Sequence, residues 1–106
     1  MRNKFCIIKT TFADKKNAKN IANLLLKKKL IACAQIEKIE SMYFWEDKIV
    51  NQKEFSLLVK TVSNNYKKIE KLILENHSYK IPQIIQIPIQ DGFDDYLSWI
   101  NSVLEI

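Results

Sequence analysis

Apolar and polar positions along the chain change their period repeatedly, and each change marks an element. Phe5–Thr11 ("FCIIKTT") is rich in apolar and β-branched residues, which predicts a first strand. Ala18, Ile21, Ala22 and Leu25 then recur at three- and four-residue spacing, predicting a helix over about residues 15–29 with one apolar face. Asp14 is placed to cap it, and Lys27, Lys28 and Lys29 in its last turn favour the negative end of the helix dipole. Ile31–Tyr43 reads as a second strand and Glu54–Thr61 anchors a third, so residues 31–61 form a long hairpin that bends between Trp45 and Gln52. In the third strand Phe55, Leu57 and Val59 share one face, while Glu54, Ser56, Leu58 and Lys60 share the other. The second strand loses this alternation near Glu37–Glu40, which predicts a β-bulge or a change of partner there.

The second half repeats the scheme. Ser63 is expected to cap a helix from Asn64 to Asn76, with Tyr66, Ile69, Leu72, Ile73 and His77 along one side. Pro82 holds Ile81 extended, and Ile84–Ile89 follows as a fourth strand. Pro88 lacks an N–H, which restricts that strand to an edge or places the proline at its end. After a turn at Asp91–Gly92, Asp94 or Asp95 caps a last helix bearing Tyr96, Trp99, Ile100 and Val103 on one side. The order β-α-β-β-α-β-α predicts an α+β fold: a ferredoxin-like βαββαβ domain with an additional C-terminal helix and a long β2-β3 hairpin. Ordinary strands run about 5–6 residues, and these hairpin limbs are far longer. Helices on one sheet face would leave apolar residues exposed on the other, so both features predict an oligomer, most simply a closed cyclic one.

Composition narrows the function classes. At 106 residues the chain is a single domain, and no apolar run is long enough to span a membrane. The apolar run Phe5–Ile8 is too short for a signal peptide, so a cytoplasmic protein is expected. The net charge of +5 comes almost wholly from lysine. Arg2 is the sole arginine, which disfavours nucleic-acid reading, and it stands too near the terminus to grip phosphate as acylphosphatases of this fold do. A small hydrolase is therefore a remote reading. With Gly92 as the sole glycine, no glycine-rich phosphate loop is available. Cys6 and Cys33 lie in separate strand-like runs and form no disulfide framework or four-thiolate zinc site. His77, the one histidine, reads either as a helix-end packing residue or as a ligand or proton-transfer group. A thiol and an imidazole together suit copper, if the fold brings Cys33 or Cys6 to His77. Tyr43, Phe44 and Trp45 are consecutive and sit beside Glu46 and Asp47, so they predict an interface or pocket wall rather than a base-stacking platform.

The stretches "LIACAQI", "YFWEDKI", "FSLLVKT", "HSYKIPQII" and "DDYLSWI", in this order and spacing, resemble the CutA family of divalent-cation tolerance proteins over nearly the whole chain. The resemblance implies a homotrimer of ferredoxin-like subunits, PII-like in architecture, without an enzymatic activity and linked to copper and other divalent cations. It places Cys33, Gln35, Tyr43, Trp45, Glu46, Lys60, His77, Tyr79, Pro82, Tyr96 and Trp99 at clefts between subunits. Cys33 and His77 are the implied metal ligands, with no cofactor required otherwise. A PII-like alternative puts a small anionic effector in the same clefts, drawn by Lys60 and Lys80. Four departures stand out. Asp47 replaces the family's usual hairpin glycine, Ser78 replaces a proline, and Lys80 and Gln83 stand where glutamates are common, which adds positive charge beside His77.

Overall fold

The computed structural model describes residues 5–104, so Arg2 lies outside the described residues. The elements are β1 (Phe5–Phe12), α1 (Lys15–Lys27), β2 (Cys33–Trp45), β3 (Lys48–Val62), a 3-10 turn (Ser63–Asn65), α2 (Tyr66–Asn76), β4 (Ile84–Pro88) and α3 (Asp94–Leu104). The four strands form an antiparallel sheet in the order β2-β3-β1-β4, which is the expected ferredoxin-like arrangement. β4 is an edge strand and Pro88 is its last residue, as the missing N–H requires.

Paired residues point to the same face, so the register sorts the sheet into two surfaces. On one, Ile8 and Phe12 of β1 and Leu57 and Val59 of β3 meet Ala18, Ile21 and Leu25 of α1 and Ile69 and Ile73 of α2. Every one of these side chains is essentially sealed from water. At about 1.5–3 kcal/mol for each large apolar side chain, this layer is the main stabilising element. Asp14 caps α1 through its carboxylate, which accepts from the Asn17 N–H at 2.7 Å. The helix ends earlier than the lysine run suggested. Lys29 adopts a left-handed conformation (φ 56°), and Lys29 and Leu30 donate back to the carbonyls of Leu26 and Leu25. This terminal motif normally uses glycine.

Several local expectations are corrected. The second helix begins with a 3-10 turn whose N-cap is Val62, and α2 itself starts after Asn65, so Ser63 does not cap it. Asn65 instead ties Leu30 O to Thr61 Oγ1, fixing the α1–β2 connection against β3. Asp94 and Asp95 are the first residues inside α3, where their charge meets the positive end of the helix. No bulge interrupts the hairpin: β2 and β3 pair without a break from Cys33↔Lys60 to Trp45↔Lys48. Alternation fails near Glu37–Glu40 because the outer limb has no helix against either face to demand it. The bend is also tighter than expected, a two-residue turn of Glu46 (φ 50°) and Asp47 (φ 63°). Both positive φ values match the type I′ geometry preferred by twisted hairpins.

α3 does not join the other helices. Its Leu97 and Ile100 pack with Phe5, Ala32 and Val62 on the opposite face of the sheet, at one end. The expected stripe of Tyr96, Trp99, Ile100 and Val103 is thereby split. Ile100 is buried, while Tyr96 and Trp99 stack on each other at 5.7 Å and remain partly exposed. Elsewhere on that face Ile85 and Ile87 of β4 stay exposed. The hairpin arm stretches the molecule to 46 Å against 26 and 22 Å in the other directions.

Candidate functional site

The uncovered face and the loop after α2 enclose a cleft of about 720 Å³ beside the hairpin arm. β2 supplies Ser41, Tyr43 and Trp45, β3 supplies Gln52 and Glu54, and β1 supplies Thr11. Ser78, Tyr79, Lys80, Ile81 and Gln83 form the remaining wall. Strand alternation explains why Tyr43 and Trp45 share this face with Gln52 and Glu54, because Tyr43 pairs with Val50 and Trp45 with Lys48.

A directed chain of hydrogen bonds crosses the cleft. Tyr43 Oη donates to Gln52 Oε1, Gln52 Nε2 donates to Tyr79 Oη at 3.0 Å, and Tyr79 Oη donates to Glu54 Oε2 at 2.7 Å. Each donor points towards Glu54, so the chain stabilises a negative charge there. Burial and the adjacent carboxylate push the Tyr79 hydroxyl well above the ordinary tyrosine range, leaving it a permanent donor near neutrality. Glu54 is only 5% exposed, and among the described residues no lysine reaches ion-pair distance of it.

His77 closes α2 as its C-cap and turns the chain towards this site. Its ring stacks on Phe12 with centroids 4.4 Å apart. Nδ1 accepts from the Tyr79 N–H at 3.0 Å, so Nε2 carries the proton and donates to Thr11 O at 2.8 Å. Burial lowers its pKa, outweighing the carbonyl of Thr11 and the carboxylate of Glu54, which act in the other direction. His77 is thus a neutral positioning residue for Tyr79, with both nitrogens engaged.

The implied metal pair does not meet within one chain. Cys33 pairs with Lys60, which pairs with Ile7, whereas His77 is bonded at Thr11. Four residues along β1 separate those rows, about 13 Å at strand rise. The two side chains also lie on opposite faces, since His77 stacks on Phe12 of the helix-covered side. Among the described residues no three His, Cys, Asp or Glu side chains gather as a metal site. Cys6 is sealed in the core, and its burial lifts the thiol to about 11, which keeps it protonated and inert.

The two lysines of the anion reading are apart as well. Lys60 Nζ sits 5.3 Å over the Tyr96 ring at the α3 end, while Lys80 borders the cleft. Tyr43, Trp45 and Tyr79 line the cleft, as does Lys80; Gln35, Glu46 and Pro82 do not line it, and neither do Cys33, Lys60, Tyr96 and Trp99. Sequence reasoning passed over Glu54, Gln52 and Thr11. Glu54 falls in the polar register of β3 and reads as a solvated residue, and only the fold of residues 77–83 over it reveals otherwise.

Known proteins share this chain's length and architecture. Residues 6–103 match the family model described as CutA1 divalent ion tolerance protein. The divalent-cation tolerance protein CutA of Pyrococcus horikoshii is 38% identical over 94 residues, covering 89% of this chain and 92% of that one. The CutA of Archaeoglobus fulgidus is 41% identical over 88 residues, covering 83% and 86%. A solved structure described as the periplasmic divalent cation tolerance protein CutA from Archaeoglobus fulgidus superposes with a TM-score of 0.92 at 38% identity, over 95% of this chain and 99% of that one. CutA1 from Ehrlichia chaffeensis superposes with a TM-score of 0.91 at 33% identity over the full length of both. With sequence and fold agreeing from β1 to α3, the chain belongs to the CutA1 divalent ion tolerance family.

Proposed function

We propose that this protein acts as a non-enzymatic homotrimer in divalent-cation tolerance, with its metal-responsive sites completed between subunits. The observation that carries this reading is the open sheet face. Ile85, Ile87, Tyr96 and Trp99 lie exposed there, beside a hairpin arm that reaches beyond the core of its own subunit. A second copy laid on that face would remove this apolar surface from water. A shared site also fits the setting of Cys33: among the described residues no three His, Cys, Asp or Glu side chains gather, so a soft metal such as copper would need donors from more than one chain. Cys33 is half-buried on the open face and is the thiol available for this purpose.

Two measurements test the reading. Light scattering on the size-exclusion peak should return three times the chain mass, and a monomer would end the proposal. Titration with Cu(I), Cu(II) and Zn(II) should give saturable binding that Cys33→Ala abolishes. Binding weaker than about 10 μM (about −7 kcal/mol), or unaffected by that change, overturns the copper part.

A further inference from the structure

The chain collects its positive charge on one side. α1 and the two residues after it carry Lys15, Lys16, Lys19, Lys27, Lys28 and Lys29, and α2 adds Lys67, Lys68 and Lys71, all exposed. Only Asp14, Glu70 and Glu75 oppose them on these segments, so of the chain's 17 basic and 12 acidic residues the remainder holds eight and nine. A compositional preference for lysine would spread the excess, whereas here the helical layer accounts for all of the net +5. The two helices lie antiparallel and side by side. Asn17 Nδ2 donates to Asn76 O at 3.4 Å at one end, and Asn65 Nδ2 donates to Leu30 O at 3.1 Å at the other. The lysines therefore share one continuous surface. It lies on the side of the sheet away from α3 and the face that the proposed assembly covers, so it meets solvent in the single chain and in the oligomer alike. We propose that this helical layer docks on double-stranded DNA through the phosphate backbone, without reading the bases.

The lysines occupy positions that stability alone would fill otherwise. Lys15, Lys16, Lys67 and Lys68 stand in the first turns of α1 and α2, which hold no acidic residue, although the positive end of the helix dipole favours one there. Among the described residues only Lys67 of the nine makes an ion pair, with Glu70 at 3.9 Å. Unpaired lysines this close repel one another, and a row of phosphates relieves that repulsion while releasing its own condensed counterions. Asn20 and Asn23, exposed between Lys16 and Lys27, add amide donors for phosphate and sugar oxygens. The absence of arginine from the layer removes base recognition and leaves attraction to the backbone intact. Single strands are held by aromatic stacking, but the layer's one aromatic residue, Tyr66, is half-buried with its hydroxyl given to Glu70. A bilayer surface would need more apolar area than the exposed Leu26 and Leu74, which stand on different helices. A duplex presents a phosphate about every 1.7 Å along its axis, and α1 spans about 20 Å at about 1.5 Å per residue, so several lysines meet phosphates at once. This inference is independent of the copper reading, since it uses neither Cys33 nor His77.

The test is fluorescence anisotropy of a labelled DNA duplex of about 20 base pairs titrated with the intact protein. Saturable binding with a Kd below about 100 μM is expected at about 50 mM salt, and two unrelated sequences should agree within about twofold. Affinity should fall with a log–log salt slope of about −3, roughly sixtyfold between about 50 and about 200 mM salt. Lys16→Gln, Lys27→Gln and Lys71→Gln combined should weaken the duplex by about tenfold or more and flatten that slope by about 2. A control that removes as many charges elsewhere, Lys38→Gln, Lys48→Gln and Lys53→Gln combined, should cost about twofold or less. Absence of saturable duplex binding by the unmodified protein overturns the proposal without recourse to any variant. So does an equal loss from the two triple variants, which would reduce the effect to net charge. Binding confined to the single strand, or to phosphatidylserine vesicles, would assign the layer to another partner and likewise overturn it.

Discussion

The two faces of the sheet use the same strands under different rules. On the helix-covered face, Ile8, Phe12, Leu57 and Val59 are apolar and interlocked with two helices, so their identity is set by packing. On the open face the same strands present Thr11, Ser56 and Glu54, which are just as buried yet polar. One face is dry because helices cover it. The other is closed locally by a loop and by α3, and polar groups held there by hydrogen bonds can meet a ligand or a partner. Stability is concentrated on the first face, and recognition chemistry is available on the second.

The contrast is testable by substitution. Phe12→Ala should cost about 3–5 kcal/mol, measured by urea unfolding, because it opens the centre of the packed face and removes the support of the His77 ring. A loss below about 1 kcal/mol would mean that the packed face does not dominate. Tyr79→Phe on the open face should cost about 1.5–3 kcal/mol, since the charged Glu54 loses its donor and Gln52 its acceptor. If this variant unfolds like the unmodified protein, the hydrogen-bond chain contributes nothing net.

Smaller effects refine the comparison. Thr10 on the packed face is 1% exposed, and its Oγ1 has no hydrogen-bond partner. Thr10→Val should therefore raise stability by about 1 kcal/mol, and a decrease would reveal a partner for that hydroxyl. Asp47→Gly should gain about 0.5–1 kcal/mol by relieving a non-glycine residue of its positive φ in the hairpin turn, read from the thermal midpoint. The smallest effect concerns pH, because the His77 ring keeps part of its hydration. Its folded pKa lies below the ordinary 6.5, so the unfolded chain takes up the proton first as pH falls. The contribution is therefore complete above about pH 6.5 and is lost as pH drops towards the lower folded value. Urea midpoints between about pH 7.5 and about pH 5.5 should fall further for the unmodified protein than for His77→Gln, and parallel curves would remove His77 from the pH response.

Element types were legible because they depend on local periodicity. Ala18, Ile21, Ala22 and Leu25 repeat with a helical period, and all four are buried. Phe55, Leu57 and Val59 repeat with a strand period and share the face predicted for them. Boundaries were less legible where an unusual residue performs a glycine's task, as Lys29 does at the end of α1 and Asp47 in the turn. The supposed bulge at Glu37–Glu40 reflects relaxed patterning on an arm without helices, and the pairing there is regular.

The order of elements, the ferredoxin-like sheet and the family were determined by the sequence alone, because periodicity and motif spacing are local and carry over directly into backbone structure. The site was decided by tertiary structure. Cys33 and His77 look like a metal pair on paper, yet the register of β1 and β3 sets them on different faces and different rows. Glu54 looks like a solvated residue, yet the loop from His77 to Gln83 closes over it and aims a tyrosine at its carboxylate. Burial and charge pairing depend on distances between segments far apart in the chain, and only the folded backbone sets those distances.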